Sequence, residues 1–308
     1  MNTSVLVVGA TGFLGTAICQ GLVEQGKSVI AVGSKRKPEV PGVESSLRWA
    51  SQGPSDTRAL MENIHSVIYL ASASTPGSSA GKPMLEVNEN LAPLAALLEA
   101  MGDASDKKLI YFSSAGALYG TPRDGIATEL HLPQPRSYHG AAKVAAEHFI
   151  QAWTLQTGSK ATILRPSNVY GPGQIAKSGF GIIPAALGCI LRGEPLTIWG
   201  NGEAVRDYLF IDDMVSLTLT ALDSDEYRGA RTINAASGRG VSINELLNLL
   251  ERTTGRPLVR AYSTGRPVDM DRVLVGVKHA EAVLGWQPGM SLEEGLERTW
   301  NWFASIHQ

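Results

Sequence analysis

The sequence has few of the features that mark disulfide scaffolds, metal proteins or membrane proteins. Its only two cysteines, Cys19 and Cys189, are far apart and have no metal-ligating neighbours, so we expect neither a disulfide nor a metal site. No apolar run reaches the roughly 18 residues that a membrane-spanning helix needs. Met1 leads directly into the first apolar segment without a basic leader. We therefore expect a cytoplasmic protein with no membrane partner.

A strong charge of either sign is also missing. The chain has 27 basic and 29 acidic residues, a net charge of -2, and no long run of one sign. Surfaces that bind nucleic acid need clustered positive charge, so we expect no nucleic acid partner. A hydrophobic content of 44% in 308 residues allows a sizeable core. These values favour a globular protein that binds a small molecule.

Short apolar runs alternate with helical stretches through the first half of the chain. Parallel strands need crossover connections, so this alternation predicts an α/β domain with a doubly wound parallel sheet. The pattern then loosens and predicts a smaller mixed α/β lobe, in which Ser242 and Ser291 open helices as N-caps. We place the first domain at residues 1–166, with a returning segment near 205–235, and the interleaved C-terminal lobe at residues 167–308. The apolar runs are SVLVVGA, SVIAVG, HSVIYLAS, KLIYFSS and ATILRPS.

The segment VLVVGATGFLGTAI places three glycines between an apolar strand and an amphipathic helix. Glycine at these positions allows a tight turn, a close approach of the backbone to a pyrophosphate, and close packing of the helix on the sheet. The phosphates would lie at the N-terminus of the helix. This context predicts a Rossmann domain that binds a dinucleotide, rather than a plain strand-to-helix turn. The residues assigned to the cofactor here are Gly9, Thr11, Gly12, Phe13, Leu14 and Gly15.

The end of the second strand bears on the identity of the dinucleotide. Where an acidic residue would hold the ribose 2'-hydroxyl of NAD, the chain has Gly33 followed by Ser34, Lys35 and Arg36. Small and basic groups accommodate a 2'-phosphate, whereas a carboxylate repels it. The predicted cofactor is therefore NAD or NADP, with NADP favoured. A basic, solvated loop without a ligand would show the same pattern.

An ordered series of motifs runs through almost the whole chain. In this order they resemble the extended short-chain dehydrogenase/reductases that act on nucleotide sugars, most closely the group containing UDP-glucose and UDP-N-acetylglucosamine 4-epimerases. The resemblance implies a nucleotide-sugar substrate, hydride transfer at the hexose C4 position and a homodimer. The motifs are GATGFLG, VIYLASASTP, VNENLAPLAALLEA, YFSSAGALYG, AAKVAAEHF, LRPSNVYGPGQ, IWGNGEAVRDYLFIDD, NAASGRGVSINELL and LGWQP.

The resemblance also implies roles for single residues outside the glycine-rich turn. Arginine can bind a substrate diphosphate with two hydrogen bonds, which suits that role. The implied cofactor contacts are Leu70, Ala71, Ser72 and Lys143, and the implied substrate contacts are Ser114, Asn168, Arg206 and Arg266.

One catalytic position departs from the family pattern. In such enzymes a tyrosine, one helical turn before a lysine, moves the substrate's proton, because the ammonium group favours the ionised phenol. Four residues before Lys143 this chain has His139, and Tyr138 lies one position earlier. On a regular helix His139 would lie about 40° and Tyr138 about 140° from Lys143.

Three hypotheses remain for this site. In the first, His139 is a substitute acid/base, whose ordinary pKa of about 6.5 suits proton transfer at neutral pH. In the second, Tyr138 reaches the substrate because the helix begins later or is shifted by one residue. In the third, the site is inactive, and the protein binds a dinucleotide or nucleotide sugar without catalysis.

The resemblance implies a hydroxyl group beside the proton carrier. In YFSSAGALYG a strand brings Ser113 and Ser114 to the edge of the sheet where α/β sites form, and we assign the role to Ser114. An alignment anchored on LYG instead puts Ala115 there. Alternatively, both serines satisfy backbone groups at a strand end.

Asn88 and Asn90 interrupt a helical stretch in VNENL. Asparagine is unfavourable inside a helix, so its presence predicts side-chain bonds to backbone near the active-site strands, or else capping or bending of the helix.

The leading functional prediction is an NAD(P)-dependent 4-epimerase of a UDP-hexose or UDP-N-acetylhexosamine, in which His139, Lys143 and Ser114 carry the proton transfer. One alternative is an NADPH-dependent reductase of a nucleotide 4-ketosugar, which gains support if the basic loop binds a 2'-phosphate. The other is the non-catalytic binding protein.

Overall fold

The chain is described by a computed structural model at residues 4–33, 38–43, 45–48, 60–61, 64–102, 106–120, 125–176, 181–265 and 270–307. It divides into two compact units. The first comprises residues 1–118, 135–165 and 215–233, and the second comprises residues 119–134, 166–214 and 234–308.

Two segments lie in a different unit from the one that the sequence pattern assigns to them. Residues 205–214, the start of the expected returning segment, belong to the second unit, and the first unit takes up the chain again at residues 215–233. Residues 119–134 belong to the second unit, although they precede the expected boundary. Backbone pairing holds them there, because Ala127 N donates to Leu274 O and Ala127 O accepts from Gly276 N, both at 2.8 Å. The Asn234 side chain adds a bond from Nδ2 to the same Ala127 oxygen at 3.1 Å.

The strands belong to three sheets. Among the described residues they are β1 Ser4–Val8, β2 Val29–Gly33, β3 Ser45–Arg48, β4 Ile64–Tyr69, β5 Lys108–Phe112, β6 Lys160–Pro166, β7 Asn168–Tyr170, β8 Leu196–Trp199, β9 Val205–Phe210, β10 Gly229–Ala235, β11 Gly240–Ser242 and β12 Arg260–Ser263.

A 7-stranded sheet contains the apolar runs of the N-terminal half, in the order β10-β6-β5-β4-β1-β2-β3. The chain moves outward from β1 through β2 and β3, and then returns to build the other half from β4, through parallel pairs. This confirms the predicted doubly wound Rossmann sheet. Val8 pairs with both Val32 and Tyr69, so the carboxyl ends of β1, β2 and β4 meet at one edge.

Helices connect these strands. No helix in the described ranges combines the length and the apolar character needed to cross a bilayer. A π-helical turn, Val87–Leu91, joins α2 to α3. The helices there are α1 Phe13–Glu24, α2 Pro83–Glu86, α3 Ala92–Met101, α4 Ala115–Leu118, α5 Tyr138–Thr157, α6 Ile182–Arg192, α7 Ile211–Asp223, α8 Ile243–Thr254, α9 Lys278–Leu284 and α10 Leu292–Ser305.

The strands of the first unit read as continuous apolar runs because helices cover both faces of a parallel sheet. The β5 strand is buried at every residue. On one face, Leu97 of α3 and Ile150 of α5 join the same core cluster as Leu109 and Ile163 of the sheet. This packing fixes α5, whose first turn carries the candidate proton carrier.

The second unit contains the two smaller sheets. One has the order β11-β9-β7, and the other pairs β12 with β8. Ser242 and Ser291 cap α8 and α10, each in a capping box with the glutamate three residues on. The predicted mixed α/β lobe and its two helix starts are confirmed.

Candidate active site

The glycine-rich turn between β1 and α1 is packed too closely for side chains at two of its positions. Gly9 has φ +96°, and a Cβ atom there would lie 2.8 Å from Ala71 N. A Cβ atom on Gly15 would lie 2.2 Å from Gly9 O. At Gly12 the nearest atom would be 3.4 Å away, in ordinary contact. Glycine is therefore required by the fold at Gly9 and Gly15, whereas the protein itself would tolerate a Cβ atom at Gly12.

The N-terminus of α1 is available to an anion. Gly12 is its N-cap and supplies no side-chain hydrogen bond, and the first turn holds no acidic residue. Because the first amide groups of a helix have no partner within the helix, those of Phe13, Leu14 and Gly15 are left to bind a ligand. Thr11 precedes them and is partly exposed. This arrangement fits the diphosphate of a dinucleotide.

The end of β4 lies beside this turn. Leu70 N donates to Val8 O at 2.8 Å, and the backbone of Ala71 packs against Gly9. Ser72 is exposed, and its hydroxyl donates to Ser74 O at 3.3 Å. Of the three predicted cofactor contacts after β4, Leu70 and Ala71 thus adjoin the glycine turn, and Ser72 directly follows them. The basic loop of Ser34, Lys35 and Arg36 lies outside the described residues.

The first turn of α5 presents Tyr138 and His139 differently. Ser137 is the N-cap, and its hydroxyl accepts from Gly140 N at 3.1 Å. Gly140 packs so closely that a Cβ atom would lie 2.4 Å from Ala117 O. The helix therefore begins at Tyr138, without the later start that a tyrosine proton carrier would need. Tyr138 is 48% exposed, whereas His139 is 8% exposed.

Lys143 follows His139 by one turn and is also buried. Its Nζ atom donates to Phe112 O at 2.7 Å and lies 4.9 Å from the centre of the Tyr111 ring. Burial lowers the pKa of Lys143 to about 8, although Glu86 and Glu147 oppose this change. The side chain is thus an ammonium ion at pH 7.

The His139 ring lies beside Ser74 and Glu86. Its Nδ1 atom is 3.0 Å from Ser74 Oγ and 3.8 Å from Glu86 Oε1. Burial and the Lys143 ammonium group lower the pKa of His139 to about 4, against an opposing effect of Glu86. The imidazole is therefore neutral at pH 7. The hydrogen bond and the close contact with a carboxylate that His139 makes in the described part of the chain are both at Nδ1, which leaves the other nitrogen, Nε2, for a ligand.

Asn90 connects these groups to the backbone. Its Oδ1 accepts from Ala73 N at 2.9 Å, and its Nδ2 donates to Ser74 Oγ at 2.9 Å and to Glu86 Oε2 at 2.6 Å. The predicted bond from an asparagine side chain to nearby backbone is confirmed for Asn90. Asn88 is exposed on the same π-helical turn, and such turns are frequent at functional sites.

The two serines after β5 have different environments. Ser113 is buried, and its hydroxyl donates to Glu147 Oε1 at 2.5 Å, within the ion pair of Glu147 with Arg165. Ser114 is partly exposed and makes no hydrogen bond to the described part of the chain. Ala115 is fully buried as the first residue of α4. Of these three residues, Ser114 alone carries a hydroxyl that a ligand could use.

Two predicted substrate contacts lie on adjacent strands of the second unit. Asn168 begins β7, and its Nδ2 donates to Asp207 O at 2.9 Å. Arg206 lies in β9, which pairs in parallel with β7, and donates to Val205 O at 2.9 Å. The remaining predicted substrate contact besides Ser114, Arg266, lies outside the described residues.

Residues 5–236 match the NAD dependent epimerase/dehydratase family. The chain belongs to this family of enzymes. It is similar to the UDP-glucose 4-epimerase of Thermotoga maritima, solved with UDP-glucose, at 30% identity and TM-score 0.89, over 99% of this chain and 100% of that one. MoeE5, in complex with UDP-glucose and NAD, is similar at 29% identity and TM-score 0.89, over 99% and 100% of the two chains. The dTDP-4-dehydro-6-deoxyglucose reductase of Escherichia coli is 27% identical, over 96% of each chain.

Two residues that surround His139, Glu86 and Ser74, were not predicted from the sequence. Glu86 precedes the VNENL segment, and a single glutamate at such a place in the sequence resembles a solvent-exposed one. Ser74 lies in a loop rich in serine and threonine, where no single hydroxyl stands out. The only sequence signal is the spacing of Glu86 and Asn90, which puts both on one helical face.

Proposed function

We propose that this enzyme is an NAD-dependent 4-epimerase of a nucleotide sugar, namely a UDP-hexose or a UDP-N-acetylhexosamine. The observation that carries the proposal is the pairing of His139 with Lys143 on the first turns of α5, in the family's tyrosine and lysine positions. Full-length similarity to a UDP-glucose 4-epimerase supports the choice of reaction. MoeE5, whose structure holds NAD, supports the choice of cofactor.

In this proposal the protein's own groups bind the ligands and move one proton. The amide groups at the start of α1 hold the cofactor diphosphate. In the second unit, the resemblance implies contacts of Asn168 and Arg206 with the diphosphate of a sugar nucleotide. Bound NAD supplies a hydride acceptor at C4. His139 takes the proton of the C4 hydroxyl on Nε2 and later returns it, and Ser114 donates to or accepts from the same hydroxyl.

Lys143 acts through its charge. Burial is the main cause that lowers the pKa of His139, and the ammonium group adds to it, because it opposes formation of a second cation next to it; together they keep the imidazole neutral before the reaction. Lys143 would also contact the cofactor, as the family resemblance implies.

The test is a search for epimer formation. Purified protein is incubated with UDP-glucose or UDP-N-acetylglucosamine and substoichiometric NAD, and products are separated by chromatography. The proposal predicts conversion to the C4 epimer without net reduction of NAD. Unchanged sugar nucleotides, with NAD bound, would favour the non-catalytic binding protein.

A reductase of a nucleotide 4-ketosugar is the second candidate. It is favoured by the similarity to the Escherichia coli reductase and by the basic loop after β2. A reductase would consume one equivalent of NADPH for each ketosugar reduced. Titration of the protein with NAD and NADP separates the cofactors, and tighter binding of NAD would contradict the preference for NADP that the loop predicts.

A homodimer also belongs to the proposal. Phe149 and Leu155 expose large apolar side chains on α5, the helix that carries Lys143, and their burial against a second copy would be favourable. Sedimentation of the purified protein tests this state.

A further inference from the structure

We propose that Glu86 is a positioning residue for His139. Through Ser74 it keeps the imidazole proton on Nδ1, and it stabilises the imidazolium ion that forms when Nε2 takes the proton of the substrate. This inference rests on the proposed function. Glu86 belongs to none of the motifs through which the chain resembles its family.

The first observation is the burial of the Glu86 carboxylate. The residue is 3% exposed, and its Oε1 atom has no hydrogen-bond partner in the described part of the chain. Its Oε2 atom accepts from Asn90. An ionised carboxylate in the interior is unfavourable unless polar partners or an opposite charge compensate. Its presence beside the proton carrier therefore needs an explanation.

The second observation is the hydrogen-bond arrangement around Ser74. The Asn90 amide group donates one hydrogen bond to Ser74 Oγ and one to Glu86 Oε2, while its carbonyl oxygen accepts a hydrogen bond from Ala73 N. Ser74 Oγ is thus an acceptor toward Asn90, and it has one further lone pair and its own proton. If the lone pair accepts Nδ1–H of His139, the hydroxyl proton is free to bond the carboxylate.

The pKa of Glu86 agrees with this arrangement. Burial raises the pKa of the carboxyl, but the polar groups of Ser79, Ser74 and Asn90, together with His139, outweigh burial and lower it. Glu86 is therefore ionised at pH 7. An anion 3.8 Å from Nδ1 favours the tautomer that carries its proton on that nitrogen.

The tautomer decides what Nε2 can do. With the proton on Nδ1, Nε2 has a lone pair and can accept a proton from a hydroxyl group. With the proton on Nε2, the ring can only donate there and cannot act as the base. Glu86 also compensates for burial and for Lys143, both of which make the imidazolium ion less stable.

The space between these groups is small. Glu86, Asn90, Tyr111, His139 and Lys143 line a cavity of about 10 Å³, room for about one water molecule. Little solvent separates the carboxylate from the ring, so their interaction is weakly screened. No ligand of substrate size fits there, and Glu86 acts through His139 rather than on the substrate.

The other titratable groups that face His139 do not take this role. Lys143, on the same helix, is a cation and lowers the pKa of His139, whereas Glu86 raises it. Tyr111, from β5, lines the same cavity, and burial raises the pKa of its phenol well above the ordinary value, so it is uncharged. Among the described residues that line the cavity, Glu86 is the anion.

The first experiment measures the tautomer of His139 directly, by nitrogen NMR of isotope-labelled histidine. The His139 signals are assigned by their loss in His139→Gln. The proposal predicts a proton on Nδ1 in the unmodified protein and a shift toward the Nε2-protonated form in Glu86→Gln, which has a similar shape and no charge. Glu86→Asp keeps the charge and should keep the original tautomer.

The second experiment compares kinetics. In Glu86→Gln we expect kcat to fall about tenfold or more with KM little changed, and the acidic limb of kcat/KM to move to lower pH. Glu86→Asp should recover much of kcat. Glu89→Gln, which removes an exposed carboxylate from the adjoining turn, should match the unmodified enzyme in all three quantities.

The two experiments separate this inference from the proposed function. If no sugar nucleotide reacts but Glu86→Gln changes the tautomer, the positioning role stands and the proposed reaction is wrong. If the enzyme is active and Glu86→Gln leaves the tautomer, kcat and the pH limb unchanged, the inference is overturned. Loss of kcat with an unmoved limb and an unchanged tautomer would show a purely structural role, and would also overturn it.

Discussion

His139 and Lys143 lie one helical turn apart at the start of α5, and both are buried. Burial and the Lys143 ammonium group both lower the pKa of His139. In the family pattern such a lysine stabilises an ionised phenol. Beside an imidazole the same charge has a different effect, because it disfavours the protonated ring. The substitution therefore changes the charge balance of the site as well as the proton carrier.

The first prediction concerns the identity of the proton carrier. His139→Ala should lower kcat for epimer formation by about a hundredfold or more, because it removes the acid/base group. Tyr138→Phe should keep most activity, because the exposed phenol is far round the helix from Lys143. Steady-state rates with the same sugar nucleotide provide the comparison. Loss of activity in Tyr138→Phe alone would assign the proton transfer to Tyr138.

The second prediction separates the two uses of glycine in the cofactor turn. Gly15→Ala should lower the free energy of unfolding by about 1–3 kcal/mol, because its Cβ atom would collide with Gly9 O. Gly12→Ala should leave stability unchanged and weaken NAD binding, since its Cβ atom meets no protein atom closer than 3.4 Å. Denaturant unfolding and NAD titration test the pair. Equal NAD affinity in Gly12→Ala would place the diphosphate elsewhere.

The third prediction is a dependence of stability on pH that originates at His139. Above pH 6.5 the imidazole is neutral in the folded and the unfolded chain. Below 6.5 the unfolded chain binds a proton, but the folded chain does not until pH about 4. As the pH is lowered from 6.5 to about 4, His139 should therefore reduce the free energy of unfolding by about 3 kcal/mol.

Urea unfolding of the protein and of His139→Gln, at steps from pH 6.5 to 4, isolates this contribution. As the pH falls, the unmodified protein should lose more stability than His139→Gln does. A difference that stays constant over the window would show that the imidazole is not held neutral.

The fourth prediction concerns the buried pair behind the site. Arg165 Nη2 lies 2.5 Å from Glu147 Oε2, and both side chains are almost fully buried. Glu147→Gln should lower the free energy of unfolding by about 3 kcal/mol, because it leaves the guanidinium group buried without its counter-ion. Glu194→Gln breaks the exposed pair with Arg192 and should have no measurable effect. Similar results for both variants would contradict this account.

The fold could be predicted from local signals in the sequence. The three glycines mark β1 and α1 because two of them face backbone atoms at distances that no Cβ atom tolerates. Ser242 and Ser291 mark helix starts because their hydroxyl groups satisfy amide groups within the same turn. Burial on both faces makes the sheet strands readable as apolar runs.

The site could be predicted only in part. The spacing of His139 and Lys143 is a local property of one helix. Whether Tyr138 could replace His139 depended on where that helix starts, which the contact of Gly140 with Ala117 decides. Glu86 and Ser74 approach His139 across 53 and 65 positions of sequence, respectively, and no local pattern reports such a contact.

The most direct test of the central claim uses UDP-glucose labelled with deuterium at C4. With catalytic NAD, the protein should form the C4 epimer with the label retained at C4, because the hydride leaves and returns to the same carbon, and His139→Ala should form almost none. An epimer that carries solvent hydrogen at C4, or no epimer with NAD bound, would contradict the account.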